Sequence, residues 1–270
     1  RLVAAAVAGP RLLLVIHHLA VDAVSWPTLV DDLQARYDGE PLGPSTLSFA
    51  AWARRGRPAE VHPRPAFNGP VVRSAVEVAS FAGLDVTATA LARALCRHWD
   101  RPEDTIDLEG HGRPADEDRP RTVGWFTEIA PVTLPALPGE APLRALERIR
   151  GILDLPRSHG PKGEVVLNHL GRTVPPPREG WRHEPAKWPN RAPLDPRPCR
   201  IEVNCRQVGD RLSISIAGSA ADDVAAIGQA MASEIEQLLA EPRPYHPSDF
   251  PDAAVSTEDL AAILDELGLA

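Results

Sequence analysis

Apolar residues fall into short continuous runs and helical stripes along this chain. The first run, RLVAAAVAGPRLLLVI at residues 1–16, is interrupted by Gly9-Pro10 and predicts two strands of a hairpin. Its second half, residues 11–16, is continuously aliphatic, which is typical of a strand buried on both faces. A helix is predicted after it, ending at Gly39, from the spacing of Trp26, Leu29, Val30, Leu33 and Tyr37.

The rest of the chain is predicted to contain further strands and helices, which do not alternate in a strict order. IEVNCRQV (201–208) and RLSISIAG (211–218) alternate with period two around Gly209-Asp210, which predicts a second hairpin. Ser256 and Asp259 predict a capped terminal helix that ends at Gly268. The other predicted elements are helices over 86–99, 141–155 and 219–239, strands over 105–108 and 165–167, and a loop and strand over 123–134. The fold class is therefore α/β or α+β with a mixed sheet.

Composition and charge indicate an ordinary globular protein and argue against a nucleic-acid-binding one. The 270 residues are 43% hydrophobic and 24% charged, as in an ordinary globular protein of one large or two small domains. A net charge of -8 argues against a nucleic-acid partner. The N-terminal apolar run is too short to span a bilayer and no secretory signal is recognised, so we expect a cytoplasmic protein without a membrane partner. Cys96, Cys199 and Cys205 form no CxxC pair and are expected to be reduced.

Polar residues cluster where three of the predicted strands end. A histidine titrates near neutrality, and a neighbouring carboxylate can orient it, so these clusters predict a proton-transfer site. A purely structural polar network would give the same pattern. The clusters are His17, His18 and Asp22 in IHHLAVDAVSW (16–26), Glu109, His111 and Arg113 in LEGHGRP (108–114), and Asn168 and His169 in VLNHLG (166–171).

The residues of the first cluster have alternative roles. His17 and His18 are adjacent on a predicted strand and should point to opposite faces, so we expect His18 to reach a cleft and His17 to pack inward. Asp22 either orients His18 or pairs with Arg113 as a structural anion. Ser25 lacks a G-x-S-x-G context and is interpreted as a helix cap rather than a nucleophile. A metal site is not favoured, because the spacing matches neither a zincin helix nor a zinc finger.

Taken in order, these segments resemble motifs of the condensation-domain superfamily of nonribosomal peptide synthetases. HHLAVDAVSW resembles the HHxxxD signature with the Val-Ser-Trp ending of the epimerization branch, and LEGHGRP and VGWFTEIAPVTL resemble two further motifs of that branch. VLNHLG is similar to the Phe-Asn-Tyr-Leu-Gly block, with Leu167 and His169 in place of its aromatic residues, and HPSDFP (246–251) is similar to the closing Thr-Pro-Ser-Asp-Phe-Pro. Five ordered matches identify the chain as a member of the superfamily, and Glu109 favours the epimerization branch.

The resemblance implies a chloramphenicol-acetyltransferase-like fold of two lobes. In the family HHxxxD lies well inside the first lobe, whereas here it begins at residue 17, so the N-terminal lobe is expected to be incomplete. The predicted organisation is a partial N-terminal lobe over 1–80, a C-terminal lobe over 81–251 and a tail helix over 252–270.

The resemblance also implies a reaction, which is epimerisation at the Cα of an aminoacyl or peptidyl thioester tethered to a carrier protein. Glu109 and His18 would be the catalytic pair, facing each other across the substrate, one removing the Cα proton and one returning a proton. The domain would need no metal or nucleotide of its own, since the phosphopantetheine arm arrives with the carrier protein, and neighbouring synthetase modules would be its other partners in peptide antibiotic biosynthesis.

Other residues receive lesser roles from the same resemblance. Asn168 would support the enolate oxygen or brace the cleft, and Trp125 and Phe126 would line the channel or pack in the core. The implied supporting residues are His17, Asp22, Arg113 and Asn168, and those of the substrate channel are Ser25, Trp26, Gly112, Trp125 and Phe126.

Two alternative functions stay open at this stage. One is condensation or cyclisation, in which His18 would activate an amine and Glu109 would be a bystander. The other is a non-catalytic module that binds carrier proteins.

Overall fold

A computed structural model describes most of the chain and divides it into two compact units. The N-terminal unit comprises Arg1–Val61, Gly110–Glu128 and Arg172–Ala192, and the sheet unit comprises His62–Glu109, Ile129–Gly171 and Pro193–Ala270. Each unit gathers separate stretches of sequence, whereas the sequence predicted two continuous lobes divided near residue 80. The described residues are 1–43, 46–54, 67, 71–113, 121–156, 162–171, 178–182, 184, 199–208, 210–240, 245–247 and 255–267.

The N-terminal unit begins with the predicted hairpin. Strands β1 (Val3–Ala8) and β2 (Arg11–Ile16) pair antiparallel, and Gly9 adopts a φ of 57° in the turn between them. The expectation that Arg11–Ile16 is buried on both faces is wrong, since its residues are exposed or half-buried. Within the described residues β1 and β2 form a two-stranded sheet of their own, and no residue of β2 is fully buried on either face.

Among its described residues, this unit also contains two α-helices. Helix α1 (Ser25–Tyr37) confirms the predicted helix after the histidines. Helix α2 (Phe49–Ala53) was not predicted, and the Ser48 side chain caps it by accepting a hydrogen bond from the N–H of Ala51. Its aromatic residues pack on the buried ring of Phe126, with ring centroids 5.0 Å away for Phe49 and 4.6 Å away for Trp52.

The sheet unit is built on one mixed sheet of six strands, in the spatial order β3-β8-β7-β6-β4-β5. Strand β8 pairs antiparallel with both β3 and β7, whereas β6 pairs parallel with both β7 and β4, so the predicted mixed sheet is confirmed. The strands are β3 (Val71–Val78), β4 (Glu103–Gly110), β5 (Glu128–Pro135), β6 (Val165–Gly171), β7 (Ile201–Val208) and β8 (Arg211–Ser219).

The described residues of the sheet unit form four α-helices, namely α3 (Leu84–Trp99), α4 (Pro142–Leu153), α5 (Val224–Ala240) and α6 (Thr257–Glu266). Helix α5 starts later than predicted, because Ser219 and Asp222 form a capping box around a short 3-10 turn. The predicted box of Ser256 and Asp259 caps α6. The end predicted for this helix at Gly268 lies outside the described residues.

One face of the sheet forms the core with α3, α4 and α5. Alternate residues of the strands are buried there, including Leu108, Leu167, Val203 and Ile214, and they belong to one apolar cluster with Leu91 of α3 and Met231 of α5. The alternation of period two therefore leaves polar residues on the opposite face of the same strands.

All three cysteines are free and buried, which confirms the expectation of reduced thiols. Burial raises the pKa of Cys96 to about 11 and that of Cys205 to about 12. Neither thiol is therefore a nucleophile at neutral pH.

Candidate active site

The two histidines lie just beyond the end of β2, in the N-terminal unit. The strand ends at Ile16, and His17 caps a 3-10 turn over His18–Ala20 by accepting a hydrogen bond at Nδ1 from the N–H of Leu19, at 3.1 Å. Both histidines are exposed, so the expectation that His17 packs inward is wrong. Strand alternation stops one residue before His17 and does not govern either side chain.

His18 contacts an aromatic residue of the predicted substrate channel. Its imidazole meets the indole of Trp125 edge to face, with ring centroids 6.0 Å apart and an interplanar angle of 72°. Trp125 is 41% exposed, so both rings are accessible to a ligand of this unit. The other two aromatic residues predicted for the channel are less exposed, since Trp26 is half-buried and Phe126 is fully buried.

Asp22 is a buried anion held by Arg113. Its carboxylate accepts hydrogen bonds from Arg113 Nη1 at 2.7 Å and Nη2 at 3.0 Å, from both the N–H and the hydroxyl of Ser25, and from the N–H of Phe126. Burial opposes ionisation, but the hydrogen bonds from Arg113 and Ser25 outweigh it and hold the pKa of Asp22 below its usual range. Of the two roles considered for Asp22, the ion pair with Arg113 is therefore present.

Ser25 is a buried member of the same network. Its hydroxyl donates to Asp22 Oδ1 at 2.7 Å and accepts from Arg113 Nη2 at 3.0 Å and from the N–H of Gly124 at 3.1 Å. The expectation that Ser25 caps the helix is wrong, because Ser25 is the first residue of α1. The Asp22 carboxylate instead accepts from the N–H of Ser25.

The segment after β4 returns to the same network through a tight turn. His111 Nδ1 accepts a hydrogen bond from the N–H of Arg113 at 3.0 Å, and Gly112 between them has a φ of 55°. A Cβ on Gly112 would lie 2.0 Å from the carbonyl oxygen of Phe126. Glycine is therefore required here for both the backbone conformation and the close approach, and the turn directs Arg113 to Asp22.

Glu109 and Asn168 lie side by side in the sheet unit. The sequence placed both residues just beyond the ends of short strands, but β4 continues to Gly110 and β6 to Gly171, so both residues lie within strands. Glu109 is in register with Asn168, Asn168 with Asn204 of β7, and Asn204 with Ser215 of β8. We refer to Glu109, Asn168, Asn204 and Ser215 as the polar row, since residues in register on neighbouring strands share one face.

His169 projects to the opposite face, into the core. Its Nδ1 lies 3.3 Å from the hydroxyl of Thr87 in α3, and it is in register with the buried Cys205. Burial lowers the pKa of His169 to about 4, against an opposing effect of Asp85, so the ring is neutral at pH 7. His169 is thus a core residue, whereas its neighbour Asn168 belongs to the polar row.

The predicted site residues therefore divide between the two units. The N-terminal unit contains His17, His18, Asp22, Ser25, Trp26, Gly112, Arg113, Trp125 and Phe126, and the sheet unit contains Glu109 and Asn168. Within the described residues, no group of three or more His, Cys, Asp or Glu side chains is arranged to hold a metal ion. None of the described helices is both long and apolar enough to cross a membrane.

Comparison with solved structures identifies the architecture. The epimerization domain from the third module of tyrocidine synthetase B matches 85% of this chain and 69% of its own, with a TM-score of 0.64 and 18% identity. The fold is that of the condensation-domain superfamily. A second structure, described as the basis of condensation domain-mediated chain release from the enacyloxin polyketide synthase, matches 87% of this chain and 59% of its own, with a TM-score of 0.62 and 20% identity. The predicted condensation-superfamily fold is therefore confirmed.

The sequence relatives are very long synthetases. One subunit of the linear gramicidin synthase of Brevibacillus parabrevis is 28% identical over 342 residues, which covers 95% of this chain and 4% of that protein. Chondramide synthase cmdD of Chondromyces crocatus is 28% identical over 340 residues, covering 96% and 9%. The N-(5-amino-5-carboxypentanoyl)-L-cysteinyl-D-valine synthase of Amycolatopsis lactamdurans is 29% identical over 230 residues, covering 65% and 6%. The chain thus spans less than a tenth of each of these relatives, and no protein-family model matches it.

Sequence reasoning missed two features of this structure. The first is the packing of Phe49 and Trp52 on the ring of Phe126. It was missed because α2 is only five residues long and has no repeating apolar stripe. The second is Asn204, which lies in the middle of a predicted strand. Its polar position in an alternating segment was the available signal, but strand order and register were needed to place it beside Asn168.

Proposed function

We propose that this chain is an epimerase acting on the Cα of an aminoacyl or peptidyl thioester carried by a carrier protein. Glu109 and His18 are its two acid–base groups. Removal of the Cα proton by one group and return of a proton by the other gives a mixture of the two configurations.

The position of Glu109 carries this proposal. It is a half-buried carboxylate in register with the amide of Asn168 on the polar face of β4 and β6. A thioester Cα–H is a weak acid, so its removal requires a base together with hydrogen-bond donors for the enolate oxygen. A carboxylate and an amide on adjacent strands supply both kinds of group.

The surroundings of His18 support its role as the second group. The imidazole is exposed and contacts Trp125, while the chain on either side is fixed by the cap at His17 and by the buried Asp22. The buried hydrogen-bond network of Asp22, Ser25 and Arg113 anchors the loop that follows His18. An acid–base group needs such support, because its side chain must be held in position for proton transfer.

The substrate and partners follow from the relatives. All of those described above as sequence relatives are synthetases, and the name of one contains a D-valine, which is a product of inversion at Cα. We therefore assign the phosphopantetheine arm of a carrier protein as the substrate handle, and neighbouring synthetase modules as the other partners. The domain itself contributes only side-chain chemistry to the reaction.

Condensation is the second candidate, because the structure associated with chain release aligns nearly as well as the epimerization domain, with TM-scores of 0.62 and 0.64. In that reaction His18 would act on a nucleophile that attacks the thioester carbonyl, and Glu109 would take no part. The two candidates therefore differ in what they require of Glu109.

The test loads a carrier protein with an aminoacyl or peptidyl thioester deuterated at Cα and follows loss of the label and formation of the D-product. The variants are Glu109→Gln and His18→Ala. Glu77→Gln is the control for Glu109, since it lies in the same sheet but in an exposed ion pair with Arg211. His98→Ala is the control for His18, since His98 is also exposed and also contacts a tryptophan edge to face.

Loss of label exchange in both site variants, with exchange retained in both controls, supports the epimerase. If Glu109→Gln exchanges the deuterium label at the full rate, Glu109 does not have the role proposed for it. Peptide-bond formation that depends on His18 but not on Glu109 supports condensation instead. Carrier binding with neither reaction supports a non-catalytic docking module.

A further inference from the structure

The polar row contains a residue to which the function proposed above assigns no role. Asn204 is the third member of the row, in register with Asn168 on one side and Ser215 on the other. It follows that the amide of Asn204 lies one strand away from that of Asn168 and two strands away from Glu109 on the same face of the sheet.

The members of the polar row differ in how exposed they are to solvent. Glu109, Asn168 and Asn204 are half-buried on the central strands, whereas Ser215 is exposed. Three adjacent hydrogen-bonding side chains are thus partly removed from water, while the fourth is an ordinary surface hydroxyl. Partial desolvation strengthens a hydrogen bond to a developing charge, which distinguishes the first three residues from a merely solvated sheet face.

A neighbouring carboxylate fixes the orientation of the Asn204 amide. Asn204 Nδ2 donates to Glu202 Oε1 at 3.2 Å, two residues earlier on the same strand and face. An ionised carboxylate only accepts hydrogen bonds, so the nitrogen end of the amide faces Glu202. An amide nitrogen carries two hydrogens, and within the described residues the second one donates to no other group.

The spacing of the two amides suits a single oxygen acceptor. Neighbouring strands lie about 4.8 Å apart. Two donors that each lie about 2.9 Å from one oxygen are separated by about the same distance. A β-bulge between His169 and Gly171 directly follows Asn168, and bulges of this kind re-aim side chains beside active sites.

We infer that Asn204 is a substrate-contacting residue that shares the thioester carbonyl oxygen with Asn168. This inference rests on the proposed function. When the base removes the Cα proton, the C–H electron pair becomes the carbon–carbon π bond of the enolate, and the carbonyl π pair moves onto oxygen. The two amides donate to this oxygen, and return of a proton to Cα restores the carbonyl, so that no further reagent is consumed.

The substrate class follows from this arrangement. Both amides act on the thioester carbonyl and not on the amino-acid side chain, so Asn204 contributes to the rate for every accepted residue and does not select among them. Replacement of Asn204 should therefore lower exchange rates for different aminoacyl groups by a similar factor.

The experiment compares Asn204→Ala, Asn204→Asp and Ser215→Ala in the deuterium-exchange assay on the carrier-bound thioester. Loss of one such donor is expected to lower kcat by about 10- to 100-fold with little change in KM. Asn204→Asp is expected to lose more than Asn204→Ala, since a carboxylate repels the enolate, whereas Ser215→Ala should keep the full rate. Thermal unfolding of each variant shows whether it is folded.

The outcomes separate this inference from the function on which it rests. If the parent protein exchanges label in a Glu109-dependent manner and a folded Asn204→Ala keeps the full kcat, the inference is wrong and the proposed function stands. A rise in KM alone would also overturn it, since it would assign Asn204 to ground-state binding. Absence of exchange in the parent protein overturns both.

Discussion

Arg113 and Asp22 form a bidentate ion pair inside the N-terminal unit, with nitrogen–oxygen distances of 2.7 and 3.0 Å. The two side chains are only 8% and 3% exposed, and the guanidinium also stacks on the ring of Phe126, 4.4 Å from its centroid. Both residues belong to the sequence motifs that resemble the condensation superfamily. Their contact shows that these motif residues hold the loop together, while His18 beside them is exposed.

The first prediction concerns the pH dependence of this pair. Asp22→Asn should destabilise the protein by about 3–5 kcal/mol at pH 7, because it leaves the Arg113 charge buried without its anion. The pKa of Asp22 is lowered in the folded protein, so the carboxylate stabilises the fold above its unfolded pKa near 4, and this contribution is lost as the pH falls through the folded value.

Urea unfolding of the parent protein and of Asp22→Asn between pH 2 and pH 7 measures the effect. The difference in unfolding free energy should be greatest above about pH 4 and should shrink below it. Asp259→Asn, which removes an exposed capping carboxylate at the other end of the chain, is the control. A difference for Asp22→Asn that does not change with pH would contradict the role given to its ionised form.

The second prediction compares two glycines. Gly112→Ala should be strongly destabilising, since Gly112 has a φ of 55° and a Cβ there would lie 2.0 Å from the Phe126 carbonyl oxygen. Gly151→Ala should instead stabilise the protein by about 0.5–1 kcal/mol, because Gly151 lies inside α4 with no atom within 4 Å of the added methyl group. Thermal unfolding of both variants gives the comparison, and equal effects would contradict the tight turn.

The elements that the sequence predicted well were those with a long periodic pattern. Helix α3 and the β7–β8 hairpin lie close to their predicted bounds, because each has a complete apolar stripe or alternation over many residues. Strand β3 was missed, because Val71–Val78 is the outermost strand of its sheet, next to β8, and only its last residue is buried. Short elements such as α2 depend on tertiary packing, which a local pattern does not contain.

The candidate site was predictable only in part. Motif resemblance nominated Glu109 and His18 as candidates, but the environment of each depended on where its strand ends, as shown by β4 continuing through Glu109 and β2 stopping before His17. Asn204 required the order and register of β4, β6 and β7, which are long-range properties of the sheet. Strand ends and pairing are set by partners distant in sequence, and this is why local patterns do not fix them.

The third prediction concerns His169, which is half-buried and projects into the core. Its folded pKa of about 4 lies below the ordinary value of 6.5 because of burial, so the unfolded chain binds more protons between these pH values. Stability should therefore fall by about 2 kcal/mol as the pH drops from about 6.5 to about 4. His169→Gln should remove this slope, as measured by urea unfolding across that range. His98→Gln, an exposed control, should keep it.

The fourth prediction compares a buried with an exposed glutamate of the sheet unit. Glu234 of α5 is 3% exposed and accepts hydrogen bonds from Arg93 and Arg97 of α3, so it joins the two helices. Burial opposes its ionisation, but the hydrogen bonds from Arg97 and Arg93 lower its pKa, and the group is charged at pH 7. Glu234→Gln should therefore cost about 3–5 kcal/mol, because it leaves the Arg93 guanidinium, whose side chain is 12% exposed, without its anion.

Glu77→Gln removes an ion pair of similar chemistry but different burial. Glu77 and Arg211 are 56% and 57% exposed, so water solvates both charges and the pair should contribute no more than about 1 kcal/mol. Urea unfolding at low and at high salt separates the two cases. The Glu77 effect should vanish in salt, since exposed charges are screened, while that of Glu234 should persist. A Glu234 effect as small and as salt-sensitive as that of Glu77 would mean that apolar packing alone holds α3 and α5 together.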